Sequence, residues 1–255
     1  MTTGTANIKV RKVNFDVKDI NKHYVDNSIF GTHFVNAMHV VFPEGEKFFI
    51  RSVRHFMKDV KDDAELTDRI KKFIGQEGVH NVEHEKFWGI LENMGIPAYK
   101  FANFYNKSAY RFVEGNIFRF LGKKKGHEMT LSITTALEHF TALLGEGLLV
   151  RNPFFDLPKD VEMLLKWHAA EELEHKSVCY DVFQKVSGDY NTRIAGMLIA
   201  SGILWFYLGA GQLYFVAVDK NKNWIDLPKD LAQFLYTLSK SESMRSVAKK
   251  YFDYY

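Results

Sequence analysis

A Glu-x-x-His pair occurs twice in this chain, each time in a segment whose apolar residues follow helical spacing. The two pairs are Glu77 with His80 and Glu172 with His175. Residues three apart on a helix share one face, so each pair presents a carboxylate and an imidazole in one direction. Burying such groups without partners is costly, and a metal ion is one remedy. The repeated pair therefore predicts two helices whose ionisable faces meet.

A single glutamate lies upstream of each pair, on a separate apolar segment. Glu46 precedes Glu77 by 31 positions, and Glu138 precedes Glu172 by 34 positions. The chain is thus two tandem helix pairs, each supplying one Glu and then one Glu-x-x-His, which is the ligand set of ferritin-like dinuclear carboxylate proteins. We predict an all-α fold, a ferritin-like four-helix bundle with additional helices, that binds two metal ions. The predicted ligands are Glu46, Glu77, His80, Glu138, Glu172 and His175.

An accidental pattern is the alternative, because Glu46 and Glu77 could be surface residues. Glu138 argues against it, since an unpaired carboxylate within SITTALEHFTALLGEGLLV would be expensive to bury. Glu171 competes with Glu172 as a ligand, and the three-residue spacing to His175 favours Glu172. Oxygen and nitrogen ligands without a thiolate favour iron, with manganese or zinc as alternatives.

Two further histidines lie one helical turn from the predicted ligands. His84 follows His80 by four positions, and His168 precedes Glu172 by four. On antiparallel helices both would reach the same end of the site, about 6 Å along the axis from the ligands. We predict a catalytic role for His84 and His168 in proton transfer, with metal binding or orientation of ligands as alternatives.

Five prolines among long apolar-periodic runs predict one helical domain over residues 1–255. The predicted metal-binding bundle covers about 30–190, followed by an apolar helix at 194–218 and amphipathic helices at 228–253. Within the bundle, Ser28 is a candidate helix cap and Pro43 is expected to break or kink the first helix. Further helices are expected from Asp63 to Met94, at 103–122, from Glu128 to Val150, and from Pro158 through 183. NIKVRKVNFDV predicts a strand or an extended arm, and RNPFFDLPKD a turn.

Residues 194–218 carry no charged side chain over 25 positions. This length can cross a bilayer, but a helix buried in the protein or lying on a membrane surface fits equally well. The net charge of +3 gives no reason to expect nucleic acid as a partner. A single cysteine excludes an internal disulfide and favours a reducing compartment. We predict a cytoplasmic protein, with membrane contact through 194–218 at the inner face, and a homodimer as one possible assembly.

PEGEKFFIRSVR, QEGVHNVEH and WHAAEELEHKSVCYDV resemble the bacterial family of predicted metal-dependent hydrolases. The resemblance covers roughly residues 30 to 215, and the third motif is its most specific part. It implies a ferritin-like helical fold and metal ligands at the six positions named above. His84 and His168 correspond to additional histidines of that family.

Three functions fit a dinuclear centre of this kind. Four carboxylates favour an O₂-activating di-iron oxidase or oxygenase that acts on a small or lipid-like apolar substrate and receives electrons from a donor. The first alternative is a metal-dependent hydrolase that uses an activated water, with His84 or His168 as general base. The second alternative is a non-catalytic metal-binding helical protein.

Overall fold

A computed structural model describes residues 7–18, 20–150 and 156–254, apart from the side chain of residue 150. These residues are all helical or irregular, with no strand among them, which confirms the all-α prediction. The helices are α1 Ile29–His55, α2 Ala64–Asn93, α3 Ala98–Tyr105, a π-helix Asn106–Glu114, α4 Gly115–Val150, α5 Lys159–His175, α6 Val178–Val186, α7 Tyr190–Val218, α8 Leu227–Lys240, α9 Glu242–Lys250 and a 3₁₀ turn Tyr251–Tyr254. The predicted turn at 151–160 lies largely outside the described residues, and the extent of the single domain stays a prediction.

Helix α1 continues through Pro43, so the predicted break at this proline is wrong. Proline lacks the N–H that would bond to the carbonyl of residue 39. That carbonyl of His39 instead accepts a hydrogen bond of 2.8 Å from the indole of Trp88 on α2. The side chain of Asn81 donates to the carbonyl of Pro43 over 2.6 Å. These two bonds satisfy the backbone around Pro43, and they also fix α1 against α2 one turn before Glu46.

Other helix ends follow local capping. Ser28 accepts a hydrogen bond from the backbone N–H of Gly31 and so caps α1, as predicted. Gly122, with a φ of 72°, interrupts α4 where a helix end was expected. The helix predicted from 158 through 183 is instead divided into α5 and α6. Ser177 lies at this division, and its hydroxyl accepts a hydrogen bond from Arg69 of α2.

Four helices surround the site: α1 packs on α2, α4 packs on α5, and α1 also contacts α4. An extended arm, residues 7–18, crosses outside this group and forms no strand. Its Arg11 forms ion pairs with Glu171 and Glu174 of α5. Its Phe15 N–H donates to Glu83 of α2 over 3.0 Å. The arm therefore joins α2 to α5 on the outer side of the site.

Helix α7 packs along α1 and α4 with one face and leaves the other face exposed. On its packed face, a Cβ on Gly196 would lie 2.0 Å from Ser132 Oγ, so glycine permits this close contact with α4. Leu198, Phe206 and Leu213 lie on the exposed face. The helix is not buried on all sides. By length and composition it could cross a membrane, although core helices of soluble proteins share these properties.

Candidate metal centre

The six predicted ligand side chains meet in one buried cluster, and none is more than 2% exposed. His175 Nε2 lies 3.1 Å from Glu77 Oε1 and 3.3 Å from Glu138 Oε2. His80 Nδ1 lies 3.6 Å from Glu172 Oε1 and 3.7 Å from Glu77 Oε2. The atoms of Glu46, Glu77 and His80 lie within 4.8 Å of one another, as do those of Glu77, Glu172 and His175. The four helices thus bring the residues of both tandem halves together.

The hydrogen bonding of this cluster tests whether it fits cations. Nine buried polar atoms of the six side chains make no hydrogen bond of good geometry to the described residues, although several lie 3.1–3.7 Å from one another: both oxygens of Glu46, Glu77 and Glu138, Oε2 of Glu172, Nδ1 of His80 and Nε2 of His175. Buried polar atoms in proteins are nearly always paired, so a group of nine needs an explanation. Oxygen and imidazole atoms that face one another suit divalent cations. The residues present fit a dinuclear centre.

In each of the two ligand histidines, the ring nitrogen that faces away from the cluster forms a hydrogen bond with a residue of the other helix pair. His80 Nε2 donates to Glu171, which immediately precedes Glu172, over 3.1 Å. His175 Nδ1 donates to Gln76, which immediately precedes Glu77, over 2.9 Å. Such bonds fix the tautomer and aim the other nitrogen inwards. Glu172 therefore faces the cluster, and Glu171 supports it from outside.

Without a cation, protons on some of the buried side chains offset the negative charge of the four carboxylates. Burial raises the pKa of Glu46 well above its usual value and that of Glu138 to about 8. Burial opposes protonation of His80, but Glu171 and Glu77 outweigh it and raise the pKa of His80 to about 10. Metal ligands must be deprotonated to bind, so cations would take the place of these protons.

His84 and His168 lie at one end of the cluster in a chain of imidazoles. His168 Nε2 lies 2.9 Å from Glu172 Oε1, and His168 Nδ1 lies 2.6 Å from His84 Nε2. His84 Nδ1 in turn lies 2.7 Å from Nδ1 of His39, whose ring stacks on Phe87. Burial lowers the pKa of all three histidines, so they are neutral near pH 7. No sequence pattern indicates His39, because the histidine that it contacts lies on another helix.

A second group of ionisable side chains lies outside the site and was missed in the sequence. Asp219 Oδ2, just after α7, lies 2.6 Å from His23 Nε2 and 3.1 Å from His33 Nε2. Its other oxygen accepts from the backbone of Asn221 and pairs with Lys22. Since these partners satisfy the carboxylate, the group joins the segment just before α1, which carries Lys22 and His23, to α1 and to the end of α7. Three residues far apart in the chain leave no sequence pattern that could have predicted it.

A narrow cavity adjoins the centre between α1, α4 and α5. It encloses about 60 Å³ and reaches His168 and Glu172 at its inner end. The remaining lining is almost entirely apolar.

Comparison with known proteins identifies a family but no individual relative. A family model described as "Predicted metal-dependent hydrolase" matches residues 9–255. No curated protein and no solved structure matches the chain. The match supports metal dependence and hydrolysis for nearly the whole chain. The prediction of an O₂-activating oxidase or oxygenase is wrong, because this family is one of hydrolases. Four carboxylates do not select O₂ chemistry, since the same ligands can hold cations that activate water.

Proposed function

We propose that this chain, which belongs to the family of predicted metal-dependent hydrolases, hydrolyses its substrate at the cluster formed by Glu46, Glu77, His80, Glu138, Glu172 and His175. The main support is the group of nine unpaired atoms that face one another in a buried space. Oxygen and imidazole donors accept iron, manganese or zinc. We expect iron, and metal analysis of protein purified without added metal decides among the three. Hydrolysis has no need of the electron donor expected for an oxygenase.

The distances suggest how the six side chains divide between two cations. Glu77 and Glu172 each have oxygens near both histidines, at 3.1–3.7 Å from the inward nitrogens. These two carboxylates would be shared by both cations. Glu138 approaches His175, whereas Glu46 groups with His80. Glu138 and Glu46 would therefore each bind one cation only. When bound, the cations lower the pKa of a water molecule and polarise the bond to be cleaved.

We propose that His168, which lines the cavity, takes the proton from that water. Its Nε2 lies 2.9 Å from Glu172 Oε1 and would become available for this role when that oxygen binds a cation instead. Burial lowers the pKa of His168, so the ring is neutral near pH 7. His84 bonds to the other nitrogen of His168 and holds the ring in this orientation. His84 is therefore a positioning residue, and the apolar walls around both rings exclude bulk water.

Replacing His168 by glutamine is expected to lower kcat by about 100-fold to 1,000-fold while the metal content stays unchanged. The measurement is hydrolysis of chromogenic esters by the metal-loaded protein, together with metal analysis of each variant. His127→Gln is the control, because His127 stacks on His55 away from the site. Chelation should abolish turnover, and added metal should restore it. Full activity in His168→Gln would contradict its role as base, and activity that survives chelation would contradict the proposed function.

We further propose that one exposed face contacts an anionic membrane surface. This aromatic face consists of Phe112 from the π-helix and Phe120 and Leu121 from α4, which line one shallow depression together with Ile199 from α7. Phe112 and Phe120 are 70% and 77% exposed, which leaves much of each ring in water. Four exposed basic side chains lie next to them in the sequence: Arg111, Arg119, Lys123 and Lys124. Apolar side chains bordered by basic ones are typical of proteins that lie on a membrane. The proposal refines the expected contact through 194–218 and the location at the inner face.

The double variant Phe112→Ser/Phe120→Ser is expected to bind phosphatidylglycerol vesicles at least about tenfold more weakly than the wild type, since two apolar anchors are lost. Co-sedimentation with vesicles gives the measurement, and Tyr180→Ser on α6 is the control. Binding should also weaken with added salt. Vesicle binding that the double variant retains would contradict the proposal. So would a homodimer in solution that the same substitutions convert to a monomer, because the face would then be a protein interface.

A further inference from the structure

The cavity beside the metal centre has the shape of a narrow groove parallel to the helix axes. On α1 its lining begins at Phe34, continues at Met38 and reaches Phe42, one turn before Glu46. Eight residues of helix correspond to about 12 Å. Leu144 and Leu148 of α4 and Leu165 of α5 complete the walls. A groove of this length, lined at successive turns of α1, suits an extended chain of small groups.

The lining provides no polar partner along most of its length. Thr141 lies among these residues, but its hydroxyl already donates to the carbonyl of Glu138 over 3.1 Å. The polar groups that remain, His168 and Glu172, lie where the groove meets the metal centre. A molecule in this groove would therefore have an apolar tail and a polar group at its inner end. Pockets that bury most of a ligand are commonly built in this way.

We infer that the substrate is a neutral carboxylic ester with an unbranched apolar acyl chain, an inference that rests on the proposed hydrolase function. The acyl chain lies between α1, α4 and α5, and the ester group lies beside His168 and Glu172. Water adds to the acyl carbon, and the bond from this carbon to the alcohol oxygen breaks. The water's hydroxyl stays on the acyl carbon, and its remaining proton leaves with the alcohol through His168.

Charge favours an ester over a phosphate monoester. No lysine or arginine is among the residues that line the groove. The proposed cations would be the sole positive partners that the site offers a phosphate dianion, whereas protein sites for phosphate generally add Arg, Lys or several backbone N–H groups. A neutral ester needs no such additional partner. Its apolar chain also gains from leaving water, by about a factor of four for each buried methylene.

The test uses p-nitrophenyl acetate, butyrate and octanoate with the metal-loaded protein. We expect kcat/KM to rise about threefold to fourfold per methylene up to octanoate. Met38→Trp fills the middle of the groove and should lower kcat/KM for octanoate at least about tenfold, with a clearly smaller loss for acetate, whose chain is too short to reach Met38. Met38→Ala should shift the preference towards dodecanoate. Met163→Trp is the matched control, because Met163 lies exposed on α5 outside the groove. Metal content should be equal in all four proteins.

A second measurement is independent of activity. Isothermal titration with 1-octanol should show binding to the wild type and to Met163→Trp, and at least about tenfold weaker binding to Met38→Trp. If octanol binds in this way but no ester is hydrolysed, the hydrolase function fails while the apolar groove is supported. If esters are hydrolysed without chain-length preference and octanol does not bind, the acyl-chain inference fails while the hydrolase function stands.

Discussion

Replacing Glu172 by glutamine is expected to leave less than one metal ion per chain, whereas Glu138→Gln is expected to keep about one of the two. Glu172 has one oxygen 3.6 Å from the inward nitrogen of His80 and the other 3.6 Å from that of His175. Its loss therefore affects both cations. Glu138 lies 3.3 Å from His175 and has no comparable contact to His80. Its loss affects the cation near His175.

Metal analysis after gel filtration of each variant gives the measurement. Glu162→Gln is the matched control, because Glu162 lies on the same helix and pairs with Lys166 at the surface. The loss of affinity should exceed the 10–100-fold typical of residues that only support a ligand, about 3 kcal/mol or more. Equal metal content in Glu172→Gln and Glu138→Gln would contradict the division into shared and single ligands. Two metal ions in both variants would overturn the six-residue centre.

Removing the metal is expected to lower the melting temperature by about 10 °C near pH 8. Ligands that bind the folded state stabilise it by about 4 kcal/mol at a thousandfold excess over Kd, and 1 kcal/mol shifts a chain of this size by about 2–4 °C. The metal-free chain must also keep four carboxylates together in a buried space. The cost of doing so is lower when some of them hold protons, so it depends on pH.

The direction of this pH dependence follows from the pKa values of Glu138 and His80. Burial raises the pKa of Glu138 to about 8 from 4.5, so the folded metal-free chain holds a proton that the unfolded chain has released. The free energy of unfolding falls as pH rises through this window. The raised pKa of His80, about 10 against 6.5, gives stability that is complete below about pH 6.5 and is lost towards pH 10. Both groups destabilise the metal-free chain as pH rises from about 6.5 to 8.

Thermal melts of metal-free and reloaded protein between about pH 6 and 9 measure this effect. The difference in melting temperature should widen with pH, because bound cations replace the protons. Metal binding should also release protons into the buffer near pH 7, which titration calorimetry in buffers of different ionisation enthalpy detects. A difference that narrows with rising pH would contradict the charge balance described for Glu138 and His80.

The sequence allowed prediction of helical content and of the six residues that meet at the centre. Both depend on local spacing: Glu77 and His80 share a helix face, and so do Glu172 and His175. The choice of Glu172 over Glu171 followed from the same spacing, and the structure places Glu172 towards the other ligands. Their binding of metal stays a prediction. Capping by Ser28 and the interruption at Gly122 were also local, because each depends on one residue's own chemistry or conformation.

Features that depend on contacts between helices could not be predicted. Pro43 should have ended α1 by the usual rule, but the Trp88 indole satisfies the carbonyl that proline leaves free. The bond between His84 and His39 joins α2 to α1 and has no sequence signature. The apolar groove has no sequence signature either, because its walls come from three helices. Four carboxylates led to the prediction of an oxygenase, although the same ligands can hold cations that activate water.

The outer hydrogen bonds of the two inward-facing histidines have unequal acceptors. His80 donates to the carboxylate of Glu171, whereas His175 donates to the neutral amide of Gln76. An anionic acceptor increases the electron density that an imidazole gives to a metal, and a neutral acceptor does so less. Arg11 partly offsets the charge of Glu171, but the difference remains. A cation bound beside His175 would therefore keep the stronger Lewis acidity and the weaker attachment. Although the ligand order is duplicated, the two positions would be electronically distinct, and we expect them to fill in sequence.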